Sequence, residues 1–254
     1  MINYKAHFLA LVFCIPFFFF STTLTAADPT AKEIIQSYEK KMRGNSSQGR
    51  FEITIIKPRT TRTFIIDSWE DSSGKRAFLR IIKPKKDSGT TFLKIDQNLW
   101  QYIPKIGKEI KVEGSLMQDS WMGSDMTNDD LVRATSIIDD FSHSFLKSSD
   151  PDHYRIQLIP KPEAAVIWSR LIIDVRKSDI MPVKEEFYDH KNRLARTMDF
   201  SEYKTMGGRY IPTYFTVKTI KADKVISSTS MKYINVIFDR PISDYIFSKA
   251  NLRR

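Results

Sequence analysis

From Gly49 to Phe238 the chain is a succession of short runs rich in Ile, Phe, Thr and Trp, broken by Pro58, Ser73-Gly74, Lys83-Pro84 and Gly107. Runs of this length between turn-forming residues read as antiparallel strands. Five come first, at 50–57, 61–69, 75–82, 90–96 and 99–103. Six more follow, near 153–160, 168–177, 182–189, 193–204, 209–220 and 225–238. In the run at 168, Leu171, Ile173 and Val175 take one face while Arg170, Asp174 and Arg176 take the other, so one side is dry and one wet. Twisted open sheets rarely exceed about ten strands without curling. The pattern therefore predicts a mainly β fold, a single curved, unclosed antiparallel barrel of about 10–11 strands.

Two segments depart from this period. Thr30-Ala31-Lys32-Glu33 has the Thr-x-x-Glu spacing of a capping box, followed by Ile34, Ile35, Tyr38 and Met42 at helical spacing and by Gly44 as a stop. An amphipathic helix over 30–43 follows. Residues 113–140 hold Met117, Trp121, Met122 and Met126, then Leu131, Ala134, Ile137 and Ile138 at helical spacing behind the capping residue Thr127. Seven acids (Glu113, Asp119, Asp125, Asp129, Asp130, Asp139, Asp140) stand there against one base, Arg133. The reading is a helical lid insert, acidic on a basic body.

Residues 1–27 contain one charge, Lys5, an apolar run from Phe8 to Phe20, and a small-residue end at Ala26-Ala27. That order is a secretory signal, with cleavage expected near Ala27. The single cysteine, Cys14, lies inside the apolar run, so a lipid anchor is not expected and residues 28–254, read as one domain, carry no thiol. The whole chain has forty Lys and Arg against thirty Asp and Glu, a net +10. This favours anionic partners without naming one.

Catalytic apparatus is not visible. His143, His153 and His190 are isolated, with no metal-type spacing and no Gly-x-Ser-x-Gly turn. Asp125 to Asp130 lacks the central Gly and closing Glu of a calcium loop. Glu185 and Glu186 are adjacent on a strand, so they face opposite sides and cannot share a substrate. No metal, no cofactor and no enzyme activity are expected. Lys83-Pro84-Lys85-Lys86 and Arg59 to Arg62 sit at turns, and an exported chain seldom meets nucleic acid, so no nucleic-acid partner is expected either.

Tyr102-Ile103-Pro104, Gly107-Lys108 and Trp121-Met122-Gly123-Ser124-Asp125-Met126-Thr127-Asn128-Asp129-Asp130-Leu131, followed by Met181-Pro182-Val183 and Gly207-Gly208-Arg209-Tyr210-Ile211-Pro212, resemble the LolA-like outer-membrane lipoprotein-sorting protein family. Met126 stands where the family pattern has an aromatic residue. The resemblance covers about residues 28–252 and is stronger to the branch associated with exporters of the resistance-nodulation-division type. It implies a periplasmic, monomeric carrier with an apolar cavity under a helical lid. Its implied partners are a lipid or acylated lipoprotein, an inner-membrane transporter and an outer-membrane acceptor. The family's lid-latching arginine has no local motif that assigns it to one Arg here.

Adaptable Met and aromatic side chains suit a cavity wall. The expected lipid-binding residues are Trp69, Leu79, Ile81, Leu93, Trp100 and Tyr102 on strands, with Trp121, Met122, Met126, Leu131 and Ile138 on the insert. Ion pairs between the acidic lid and the basic body are expected to hold the empty carrier shut. The alternative function is a non-catalytic periplasmic interaction module that docks on an envelope transporter or sensor.

Overall fold

Thirteen strands, two more than the sequence pattern reveals, form one antiparallel sheet in the computed structural model, which describes residues 28–71, 74–133 and 136–254. The predicted export segment, residues 1–27, lies outside the described residues. Among the described residues no helix is long and apolar enough to cross a membrane.

The eleven runs become β1 (Ser47–Lys57), β2 (Thr60–Glu70), β3 (Arg76–Lys83), β4 (Thr91–Ile95), β5 (Asn98–Ile103), β8 (His153–Pro160), β9 (Arg170–Arg176), β10 (Met181–Tyr188), β11 (Leu194–Met206), β12 (Arg209–Lys221) and β13 (Lys224–Phe238). The additional strands are β6 (Lys108–Lys111) and β7 (Phe141–Leu146). Both are short and largely polar or exposed, so alternation does not mark them. The spatial order is β6-β5-β4-β3-β2-β1-β13-β12-β11-β10-β9-β8-β7, which leaves β6 and β7 as the edges of an unclosed, curved barrel.

The N-terminal helix α1 (Ala31–Arg43) begins as its sequence dictates. Thr30 Oγ1 accepts from the Glu33 amide at 3.3 Å, and the Thr30 amide donates to Glu33 Oε2 at 2.7 Å. Ala31, Ile34, Ile35 and Tyr38 are buried against Phe141 of β7, Ile156 and Leu158 of β8, Leu171 and Ile173 of β9 and Phe187 of β10. The helix thus covers one half of the sheet's inner face.

The other half is covered by the insert, whose second helix is shorter than the helical spacing to Ile138 predicts. The described residues between 113 and 140 include 3-10 turns at Gly114–Leu116, Trp121–Gly123 and Ser136–Ile138, and a short helix, α2 (Asn128–Arg133). Thr127 caps it as expected, with its Oγ1 accepting from the Asp130 amide at 3.1 Å and its own amide donating to Asp130 Oδ2 at 2.7 Å. The apolar positions that share a helical spacing serve two cores. Leu131 and Val132 pack with the β1–β5 cluster, whereas Ile137 and Ile138 pack with the cluster under α1. Tertiary contacts override the local period here.

The chain ends in a 3-10 turn, Asp244–Phe247, and a short helix, α3 (Lys249–Leu252), on the outer face of β3–β5. Phe247 and Leu252 are buried with Phe78 and Leu93. The Thr91 hydroxyl donates to the Leu252 carbonyl, and Lys249 and Arg253 pair with Glu109 at 3.1 and 2.9 Å. Both faces of this corner of the sheet are therefore dry.

Candidate functional site

Between the inner face of the sheet, α1 and the insert lies a hollow of about 400 Å³. Its volume falls within the roughly 300–1,000 Å³ of small-molecule sites. Strand registry explains its wall. Ile156, Ile173, Glu185, Met198, Val217, Thr229 and Ile55 form one rank across β8, β9, β10, β11, β12, β13 and β1, all on the inner face. Every member but Glu185 and Thr229 is apolar. The next rank runs Leu158, Leu171, Phe187, Arg196 and Thr219, and Arg196 is its cation.

Much of the lining is aromatic or Met: Phe51, Phe92, Met126, Trp168, Met198, Phe200, Phe215, Met231 and Tyr233. Phe51 and Phe215 lie 4.4 and 5.7 Å, between ring centroids, from Tyr233, which ties β1, β12 and β13 together at the wall. Unbranched Met side chains beside such rings re-pack at low cost, which suits an occupant of variable shape.

Two carboxylates of the insert fasten it to the sheet. The first, Asp125, reaches across to β12 and β13. Its Oδ1 accepts from the hydroxyls of Thr219, at 2.6 Å, and Ser227; its Oδ2 accepts from Thr229 Oγ1 at 2.6 Å; and its amide donates to that same Thr229 Oγ1 at 2.9 Å. At the second, Arg196 of β11 grips Asp130 of α2 bidentately, with Nη1 donating to Oδ2 at 2.6 Å and Nη2 to Oδ1 at 2.9 Å. Such fork-to-fork pairs combine charge with fixed geometry. The Arg196 side chain is 7% exposed and lies 4.6 Å from the Trp168 ring centroid and 4.4 Å from that of Phe187. The ring faces offset part of the cost of burying the guanidinium. Burial pushes the Asp130 carboxyl upward, but the Arg196 charge and hydrogen bonds outweigh it and hold it below the ordinary range.

The expected binding residues divide into three groups. Leu79, Met126 and Leu131 line the hollow. Ile81 and Trp121 are buried in the cluster behind it, with Met122 packed against that cluster, and Ile138 packs into the core under α1. Trp69, Leu93, Trp100 and Tyr102 lie on the opposite face of the sheet, against the C-terminal segment. Registry decides this: Ser68, Leu79 and Phe92 form an inner rank, and Trp69, Phe78, Leu93 and Trp100 the outer one beside it.

Sequence reasoning missed Phe92, Leu99, Met198, Phe215, Met231 and Tyr233 in the wall, and it assigned no role to Arg196. A usable signal exists for Arg196. It sits two residues before Met198 and four before Phe200, in the period of β11's inner face, where a cation is out of place unless it has a partner. Glu185 and Glu186 do face opposite sides as expected. Glu185 lines the hollow, while Glu186 pairs outside with Arg155 at 2.7 Å and Lys184 at 2.9 Å.

An open, curved antiparallel sheet with an apolar hollow under an N-terminal helix and a fastened insert defines the LolA-like class of fold. A family model described only as "uncharacterized protein" matches residues 73–254, and the chain belongs to that family. Among solved structures, a DUF1329 family protein from Desulfovibrio piger is similar at a TM-score of 0.78 and 21% identity, over 87% of this chain and 97% of its own. A domain provisionally named as an outer membrane lipoprotein-sorting protein, from Vibrio parahaemolyticus, is similar at 0.75 and 19% identity, over 88% and 98%. A LolA superfamily protein from Nitrosomonas europaea is similar at 0.72 and 20% identity, over 88% and 99%. At these identities the likeness establishes the fold. No curated protein matches the chain.

Proposed function

We propose that this protein is a periplasmic carrier. It takes acyl chains of a lipoprotein or lipid into the hollow, without covalent catalysis, and passes them between envelope membranes. The observation that carries the reading is the hollow itself, about 400 Å³ of space walled by Met and aromatic side chains and left unfilled by the protein's own core. An acyl chain gains roughly 0.8 kcal/mol per methylene on leaving water. A wall with polar interruptions and flexible Met matches that gain closely enough to load while still permitting release.

In this reading residues 28–254 act as one carrier domain after removal of 1–27. Leu79, Met126 and Leu131, joined by Phe92, Met198 and Met231, contact the cargo. The Asp130–Arg196 pair holds the insert shut over the hollow until cargo or a partner displaces it. The partners are an inner-membrane transporter, of the resistance-nodulation-division type in the branch this chain resembles, and an outer-membrane acceptor. The carrier works as a monomer.

Native mass spectrometry of protein purified from the periplasm tests the proposal, together with uptake of pyrene, whose fluorescence reports an apolar site. Bound lipid, and pyrene uptake that is lost in Leu79→Glu, are expected. A lipid-free protein that takes up no pyrene overturns the carrier reading in favour of a docking module.

A further inference from the structure

The chain is strongly basic overall, yet the hollow is not. Among its described lining side chains stand five acids, Glu39, Glu70, Asp129, Asp130 and Glu185, and three bases, Arg43, Lys94 and Arg196. The bases are engaged. Arg43 lies between Glu39 at 2.6 Å and Glu70 at 2.5 Å, Arg196 is held by Asp130, and Lys94 turns its ammonium to the Gly74 carbonyl at 2.7 Å.

Glu185 is different. It interrupts the apolar rank of the inner face, and its hydrogen bond comes from a neutral donor, the Tyr38 hydroxyl at 3.2 Å. Tyr38, Glu39 and Arg43 face it from α1, and Arg196 faces it from β11. An apolar position occupied by a carboxylate with no ion pair of its own among the described residues is a specificity element for something that enters the hollow.

Resting on the carrier reading above, we propose that the hollow selects amphiphiles whose head group bears a primary ammonium, which Glu185 receives beneath α1 while the tail lies along the Met and aromatic wall. An ammonium supplies donors to Glu185, beside which Glu39 adds negative charge that Arg43 offsets only in part. A carboxylate or phosphate head meets the like charge of Glu185 in a low-dielectric site. A hydroxyl head falls between them.

Burial, and next the Glu39 charge, push the Glu185 carboxyl up to about 7. An ammonium favours its ionised form, so amine binding expels a proton near neutrality. Affinity for an amine should therefore fall roughly tenfold from about pH 8 to about pH 6.

Displacement of pyrene by dodecylamine, dodecanol and dodecanoate, which share one tail, tests this in the wild-type protein and in Glu185→Gln. The expected order is amine, alcohol, carboxylate. In Glu185→Gln the amine should lose about tenfold in affinity, together with its pH dependence, as a charge-assisted hydrogen bond is exchanged for a neutral one. Pyrene, which has no head group, reports through its uptake by that variant whether the hollow is intact. Three heads of equal affinity, or a carboxylate that binds tightest, overturn the head-group assignment while leaving the carrier intact. Displacement by none of them, with no pyrene uptake, overturns the carrier reading itself. A variant that fails to fold leaves the wild-type head-group order and its pH dependence as the deciding measurements.

Discussion

Replacing Asp130 with Asn removes the charge that Arg196 grips, while the side chain keeps its size and one carbonyl oxygen. Arg196 is 7% exposed and Asp130 26%, so the pair is mostly shielded on one side only. Breaking a buried pair by removing one partner costs 3–5 kcal/mol, and the partial exposure of Asp130 places this case near the lower limit, about 3 kcal/mol. Part of that loss belongs to the cap, because Asp130 Oδ2 also accepts from the Thr127 amide.

A double-mutant cycle with Arg196→Met separates the two effects, since the cap is lost equally on both sides of the cycle. Urea denaturation of the four proteins should give a coupling of about 2 kcal/mol. Hydrogen exchange then locates the effect. The amides of Trp121, Asn128 and Asp129, which donate to Met126, Asp119 and Met117, lie within the insert. They should exchange roughly a hundredfold faster in Asp130→Asn, with the amides of β11 and β12 changing far less. A coupling below about 0.5 kcal/mol, or an insert whose exchange is unaltered, would refute the idea that this pair fastens the lid.

Removing the other fastening, Asp125→Ala, leaves the Thr219, Ser227 and Thr229 hydroxyls without their shared acceptor and should cost about 3 kcal/mol in urea unfolding, with Asp125→Asn losing less. Leu79→Glu and Trp100→Glu should separate by face. The first abolishes pyrene uptake. The second lowers the melting temperature but preserves uptake, because Trp100 packs under the C-terminal segment, with the Lys249 ammonium 4.7 Å from its ring centroid. The Glu185 carboxyl, raised from its ordinary 4.5 to about 7, keeps its proton longer folded than unfolded. Its contribution to stability is complete below pH 4.5 and is lost as the pH rises through 7, so the native state weakens across that window. Glu185→Gln should therefore gain stability relative to wild type between about pH 5 and about pH 8, and parallel stability profiles for the two proteins would contradict the assignment.

Much of this architecture is written in local pattern. The Thr30–Glu33 box and Gly44 delimit α1 because capping is satisfied within one turn of chain. Eleven strands announce themselves through composition and turns, and Thr127 caps α2 through Asp130. Strand-to-strand registry is another matter. The run Thr91–Ile95 is dry on both faces, since the C-terminal segment covers the outer side, and with Phe92 on one face and Leu93 and Ile95 on the other its apolar residues carry no phase. Leu93 and Trp100 therefore read as plausible wall residues until pairing with Phe78 puts them outside.

Eleven of the thirteen strands and the starts of α1 and α2 follow from neighbouring residues, because propensity, capping and turn chemistry act over a short stretch of chain. Long-range packing in the folded sheet set which face of each strand looks inward. It also decided that Arg196, 66 residues from Asp130, closes on it, and that Glu185 lies under Tyr38, 147 residues away. Those choices depend on registry across a curled thirteen-stranded sheet, where a slip of one residue would exchange the wall for the outer surface.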